Sequence, residues 1–207
     1  DRRREAERDD EGAKLKARKA AFGLYLASLK RPWFGSPADA YLKSRGIDIG
    51  LLGRRPGCLG WLPDARHHES GRTLPVMIAG MSGPDGKIMA VHRTFLRPDG
   101  SGKADVTPQK KIWPSFKGAA IRLWRGGEGR SIEDANREAE RHGTRETLVL
   151  AEGIENAATV VVAQPKYRVW AVGSVGNFAA QIIPPCVDEV IIVADNDDGN
   201  PGAQAVL

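Results

Sequence analysis

Apolar residues change their spacing several times along this chain, and each change marks an expected element. In residues 11–30, EGAKLKARKAAFGLYLASLK is rich in helix formers, with Leu15, Phe22, Leu26 and Leu29 at seven-, four- and three-residue steps. That spacing predicts one amphipathic helix with this stripe as its apolar face, weaker in the first half, where Arg18 and Lys19 interrupt it. In SPADAYLKSRG, Ser36 is placed as an N-cap, Pro37 at the first helical position, Asp39 in the first turn and Gly46 just past the end of a short helix. From residue 73 the texture becomes strand-like: TLPVMIAGMS, a turn at Pro84-Asp85-Gly86, KIMAVHRTFL, and a second turn at Pro98-Asp99-Gly100, together a small antiparallel sheet. The polar stretch RGGEGRSIEDANREAERHGTRE predicts a solvated helix that Ser131 or Asp134 begins and Gly143 ends. Three short apolar runs follow, TLVLAEG, YRVWAVGS and DEVIIVADND, separated by the helix-compatible IENAATVVVAQ and VGNFAAQI. Short apolar runs alternating with helices argue for a parallel sheet covered on both faces. The expected fold class is α+β: N-terminal helices (1–50), a small basic antiparallel β subdomain (51–125), a linker helix (126–146) and an α/β unit with a parallel sheet (147–207).

Composition narrows the class of protein. The 207 residues hold no apolar run near the roughly 20 residues of a membrane span. No apolar signal segment follows the charged start DRRREAERDD, so no membrane partner is expected. Two cysteines, Cys58 and Cys186, make neither a disulfide framework nor a four-thiolate zinc site, which points to a reducing, cytoplasmic setting. His67-His68 with Cys58 offer too few ligands at too irregular a spacing for zinc. The chain does not begin with Met, and it is expected to be a piece of a longer protein. A net charge of +5 suits a polyanionic partner. The cations are densest in the β region: Arg93, Arg97, Lys103, Lys110, Lys111, Lys117 and Arg122, interleaved with Trp113, Phe116 and Trp124. They are either a solvated face or a surface that neutralises a phosphodiester strand. The aromatics fill a small core or stack on bases, with core the commoner use.

Two of the C-terminal runs end in carboxylates: Glu152, followed by Gly153, and then Asp195 and Asp197. In a parallel sheet all carboxyl ends share one edge, where open α/β folds bind ligands, so the three acids are expected to converge. Gathered carboxylates repel unless a cation sits among them, and magnesium, with its oxygen ligands and retained waters, suits this set. Such a site supports phosphoryl transfer. Loop-forming acids at strand ends are the plainer alternative. Glu155 and Asp198 are either further ligands or solvated acids. Gly173 and Gly176 in AVGSVGNFAA make a turn between strand and helix rather than a dinucleotide loop, for the third glycine is missing. His92 alternates with apolar neighbours on a strand and is read as structural.

At LVLAEGIENA and IIVADNDDGNPGAQA the sequence resembles the Toprim domain, the metal-binding catalytic module of bacterial-type primases, type IA and type II topoisomerases and some nucleases. The stretch AGMSGPDGKIMAVHRTFLRPDGSGKADVTPQKKIWPSFKGAAIRLW resembles the basic subdomain that precedes Toprim in primases of the DnaG and phage or plasmid type, and AYLKSRGI is similar to an early helix of such proteins. Where cellular primases carry a further aspartate four residues after the glutamate, this chain has Asn156, with Glu155 one position earlier. The resemblance implies a magnesium-dependent DNA primase of a phage or mobile element, with manganese able to substitute. Glu152, Asp195 and Asp197 would hold the ions, and Arg93 and Lys111 would face single-stranded template DNA or nucleoside triphosphates; the concentration of charge adds Lys103, Lys110, Lys117 and Arg122 as candidate nucleic-acid-binding residues. A helicase or other replication protein would be a further partner. A Toprim-type nuclease is the first rival and a non-catalytic module binding nucleic acid or protein the second. No tyrosine stands in a context suggesting a topoisomerase nucleophile.

Overall fold

The structure, a computed structural model, describes the backbone of residues 2–194 and the side chains from residue 10 onward. Asp195, Asp197 and Asp198 lie outside the described residues. In chain order come helices α1 (Arg2–Leu29) and α2 (Pro37–Ser44), then strands β1 (Leu59–Arg66), β2 (Thr73–Ser82), β3 (Ile88–Phe95), β4 (Lys110–Trp113) and β5 (Ile121–Arg125). Helix α3 (Ile132–His142), strand β6 (Glu146–Ala151), helix α4 (Ile154–Ala163) and strands β7 (Arg168–Ala171) and β8 (Val187–Val193) complete the fold. The capping residues act as their chemistry demands. Ser36 accepts from the Asp39 amide with Pro37 opening α2; Ser131 accepts from the Asp134 amide, and Gly143 closes α3 in a left-handed turn at φ 68°.

The strands form two sheets. The first is antiparallel in the order β1-β2-β3-β4; the second is ordered β5-β7-β6-β8, with β6 parallel to both β7 and β8 and β5 antiparallel at one edge. The fold class is therefore α+β, with the expected antiparallel and parallel sheets both present. A two-way backbone bridge joins them: the Ser82 amide donates to Ala120 O at 2.8 Å and the Ala120 amide returns a bond at 3.0 Å. One face of the first sheet (Val76, Ile78, Val91, Phe95) packs under α1. Its other face (Leu59, Met77, Ala79, Met81, Ala90) shares a core with α2, α4 and the inner face of the second sheet. The outer face of that sheet, with Leu148, Leu150 and Trp170, is capped by Ile132 and Phe178.

Two expectations change. Helix α1 forms, but Leu15, Phe22 and Leu26 are 55%, 45% and 43% exposed, while Ala21 and Ser28 are fully buried and Tyr25 packs on the sheet. The helix chooses its small side for close approach: a Cβ on Gly60 of β1 would stand 2.3 Å from Ser28 Oγ, and one on Gly80 of β2 would stand 2.9 Å from the Tyr25 ring. Leu or Phe facing those glycines would hold the helix off the sheet. The second change concerns VGNFAAQI, which makes only a 3₁₀ turn at Val175–Asn177. Asn177 is buried, its amide nitrogen donating to Ala119 O and Val172 O and its oxygen accepting from the Gly118 amide. Those bonds tie the segment to the strand ends and compete with helix propagation.

Candidate functional site

Strands β6 and β8 are direct neighbours, with Ala151 paired to Val193. The carboxyl end of β6 therefore stands level with Ala194, and Glu152 is the first residue beyond it. The chain leaves β6 through α4 toward β7 on one side, while β8 lies on the other; such divergence opens a crevice at the strand ends. Glu152 is half-buried there, and its carbonyl accepts from the Gly173 amide at 2.9 Å. Gly173 is held at φ 86°, where a Cβ would meet the Ile112 side chain at 2.8 Å, so strand β4 closes down on this edge only because the position carries no side chain.

The cavity at this edge has a volume of about 400 Å³ and is lined by Glu152, Gly153, His92, Lys110, Lys111 and Phe116 among others. Among the described residues no three His, Cys, Asp or Glu side chains gather as a metal site. Asp195 and Asp197, the other two acids of the expected set, lie outside them. The donors of that set are carboxylate oxygens alone, which fits a hard divalent cation such as magnesium and not a thiophilic one.

Strand pairing sorts the basic residues. Opposed residues of an antiparallel pair share a face, so Thr94 and Lys110, and His92 and Ile112, lie on one side of the first sheet, with Arg93 and Lys111 on the other. Lys111 is ion-paired with Glu69, and Glu69 also acts on Arg93, whose Nε is buried without a hydrogen-bond partner among the described residues. Lys110 is exposed on the inner side and forms no ion pair among the described residues. Lys103 lies 3.2 Å from Glu155 Oε1. Lys117 is exposed near Ser174 and Gly176. Arg122 stands elsewhere: its guanidinium lies 5.0 Å over the Trp170 ring and donates to Gly83 O at 2.7 Å.

Glu155, on the first turn of α4, is anchored beside the crevice from two sides. The Tyr41 hydroxyl of α2 donates to Oε1 at 2.6 Å, and Lys103 bridges to the same oxygen. Burial works to raise the carboxyl, but Lys110, the Tyr41 hydroxyl and Lys103 outweigh it and hold the group down at about 2. Burial and the bond to Glu155 together push the Tyr41 phenol upward. His92, only 7% exposed, is pushed down to about 4 by burial and then by Lys110, so it is neutral here at physiological pH. Tyr41 was not among the expected site residues; the apolar pattern Ala38, Tyr41, Leu42 places it in the core, and nothing local shows that its hydroxyl meets a carboxylate 114 positions later. His67 is fully buried, bonded to Ser70 and Pro108 O and edge-on to Phe95 at 4.8 Å, which is packing rather than zinc ligation.

Comparison with known proteins gives the geometry a context. No curated protein matches this sequence. Among solved structures, a DnaG primase catalytic domain bound to single-stranded DNA superposes with a TM-score of 0.50 at 14% identity, covering 95% of this chain and 65% of that one. The RNA polymerase domain of Mycobacterium tuberculosis primase DnaG gives 0.51 at 14% identity, over 94% of this chain and 70% of that one. The chain thus spans about two thirds of the first of these structures, and the likeness is one of fold. The Toprim domain matches residues 147–207, which hold the Glu152 strand end and the two aspartates. Residues 16–123, just over half of the chain, match a second family, and the protein belongs to it: the family described as Domain of unknown function (DUF7146), here joined to a Toprim domain in a primase-like fold.

Proposed function

We propose that this chain is the catalytic part of a magnesium-dependent primase-like replication protein of a phage or mobile element, making short RNA on single-stranded DNA from nucleoside triphosphates. The observation that carries the reading is the parallel pairing of β6 with β8, Ala151 beside Val193, which sets Glu152 at the same sheet edge from which the chain continues to Asp195 and Asp197. The resemblance to a DnaG domain bound to single-stranded DNA supports that class of template. In this role Glu152, Asp195 and Asp197 hold the metal. When bound, magnesium supplies charge neutralisation to the triphosphate and acidifies the attacking 3′-hydroxyl.

The protein's own groups do the rest by placement and electrostatics. Lys110 projects from β4 over the crevice and meets phosphate oxygens. Lys103 is steadied by Glu155, which Tyr41 fixes in turn. Lys117 extends the positive field beyond the crevice, whereas Lys111 and Arg93 are held by Glu69 and Arg122 faces a separate cavity. Glu155 is so strongly engaged by Tyr41 and Lys103 that its role is to orient cations rather than to ligate metal.

The test is incubation with single-stranded DNA, magnesium and ribonucleotides. New short RNA is expected, falling by about 10² or more in Glu152→Gln and in the Asp195→Asn, Asp197→Asn pair. Shortened DNA in place of new RNA would assign the site to a nuclease. Unchanged activity and magnesium affinity in both variants would overturn the catalytic reading.

A further inference from the structure

A second cavity, of about 610 Å³, opens between residues 54–58, the turn joining β2 to β3, strand β5 and the first turn of α3. It shares no lining residue with the cavity at Glu152: on β5, Ile121 borders that one, while Arg122 to Arg125 border this one. Arg54, Lys87, Arg122 and Arg125 converge on it, against the carboxylates of Asp85 and Glu133. Lys87 lies 3.7 Å from Asp85, and Glu133 is held ionised by its own backbone amide and Ser131 at the start of α3. Arg168 also reaches the wall but is committed to Glu146 at 2.6 Å. Arg54, Arg122 and Arg125 form no ion pair among the described residues.

Two of these guanidinium groups are already ordered. Arg54 lies 4.7 Å over the Trp124 ring, whose Nε1 donates to Pro165 O at 2.8 Å; Arg122 lies over Trp170 and is tied to Gly83 O. A stacked, forked cation loses little entropy when it captures an anion, and planar guanidinium groups match phosphate oxygens in pairs. Burial opposes the Arg122 charge, so an anion beside it relieves that cost. Tyr25, Pro56, Ile88 and Leu123 make the remaining wall largely apolar, the setting for a base, and the volume is that of a nucleotide-sized ligand. We propose that this cavity binds the phosphates of a nucleoside polyphosphate, without a metal ion and independently of the Glu152 edge.

The experiment titrates the intact protein with GTP, with inorganic triphosphate and with single-stranded oligo-dT, all in EDTA, reading tryptophan fluorescence and calorimetry. GTP is expected to bind once per chain. Arg54→Ala with Arg125→Ala is expected to weaken it about tenfold or more, while Glu152→Gln leaves it unchanged. Charge reversal at the exposed strand end, Arg125→Glu, is the second variant; far-ultraviolet circular dichroism and the melting temperature report whether each is folded. Wild-type affinity in folded Arg125→Glu and in the double variant overturns the proposal, as does loss of GTP binding in Glu152→Gln. Binding of oligo-dT alone, sensitive to Arg54 and Arg125 while GTP and triphosphate fail to bind, also overturns it and assigns the cavity to the nucleic-acid strand. Because every titration lacks divalent metal, a failure of primer synthesis leaves this result standing.

Discussion

At the scale of single residues, the contact with most consequence is the one between Tyr41 and Glu155. A buried hydroxyl bonded to a carboxylate contributes about 2 kcal/mol, and Lys103 shares the same oxygen. Tyr41→Phe and Glu155→Gln are each expected to lower unfolding free energy by about that amount in urea titrations, and the double variant by less than the sum, because both remove one shared interaction. Strict additivity would show the bond to be energetically idle. His92 makes a different prediction. Its pKa falls from 6.5 unfolded to about 4 folded, so between those values the unfolded chain binds more protons and stability rises with pH. The contribution is complete above 6.5 and is lost as pH falls toward 4, about 2 kcal/mol of it between roughly pH 7 and pH 5. Glu155, depressed from 4.5 to about 2, loses its contribution only below that window, so the two are separable. His92→Gln should flatten the slope of stability against pH, whatever it does to the absolute value. At this scale the sequence is least informative: His92 is readable as a strand histidine, but its depressed pKa comes first from burial in the assembled core and then from Lys110 on the neighbouring strand, neither of which a local pattern encodes.

Elements were more legible, and the reason is local chemistry. The Ser36–Pro37 start of α2, the Ser131 and Gly143 ends of α3 and the Pro-Asp-Gly turn before β3 are all set by side chains within four residues of the backbone they serve. Strand β1 and the burial of α1 depend instead on partners far along the chain. The apolar stripe of α1 suggested the wrong buried face because hydrophobicity outranks size in a periodicity argument, whereas the sheet selects for size. This can be tested at two glycines. Gly60→Ala drives a methyl group into Ser28, with the Ser28 backbone at 2.8 Å behind it, and should cost about 1–3 kcal/mol as α1 is displaced. Gly23→Ala, with nothing within 4 Å on the same helix, should instead stabilise by about 0.5–1 kcal/mol. Thermal melts of the two variants should shift in opposite directions; a harmless Gly60→Ala would mean that α1 does not rest on β1 as closely as described.

For the whole molecule, the relevant quantity is the positive field that a net charge of +5 produces, and the fold divides it unequally. Lys110 stands open beside the crevice, Lys111 borders the same cavity from the edge strand but is paired with Glu69, and Arg122 belongs to a separate cavity. Sequence order alone places these cations in one basic patch; only the strand pairing separates them. If single-stranded DNA runs over the Glu152 edge, Lys110→Ala should reduce the slope of log affinity against log salt by about 0.7, the value of one phosphate contact on a single strand. Lys111→Ala should reduce it by much less, because its charge is already neutralised within the protein. Glu69→Gln should act in reverse, freeing Lys111 and Arg93 and steepening the slope while raising affinity at low salt. Equal slopes for Lys110→Ala and Lys111→Ala, with no effect of Glu69→Gln, would show that the ion pair opens when DNA binds and that the strand crosses both sides of the sheet edge, which would move the template track away from the crevice that Glu152 and Lys110 share.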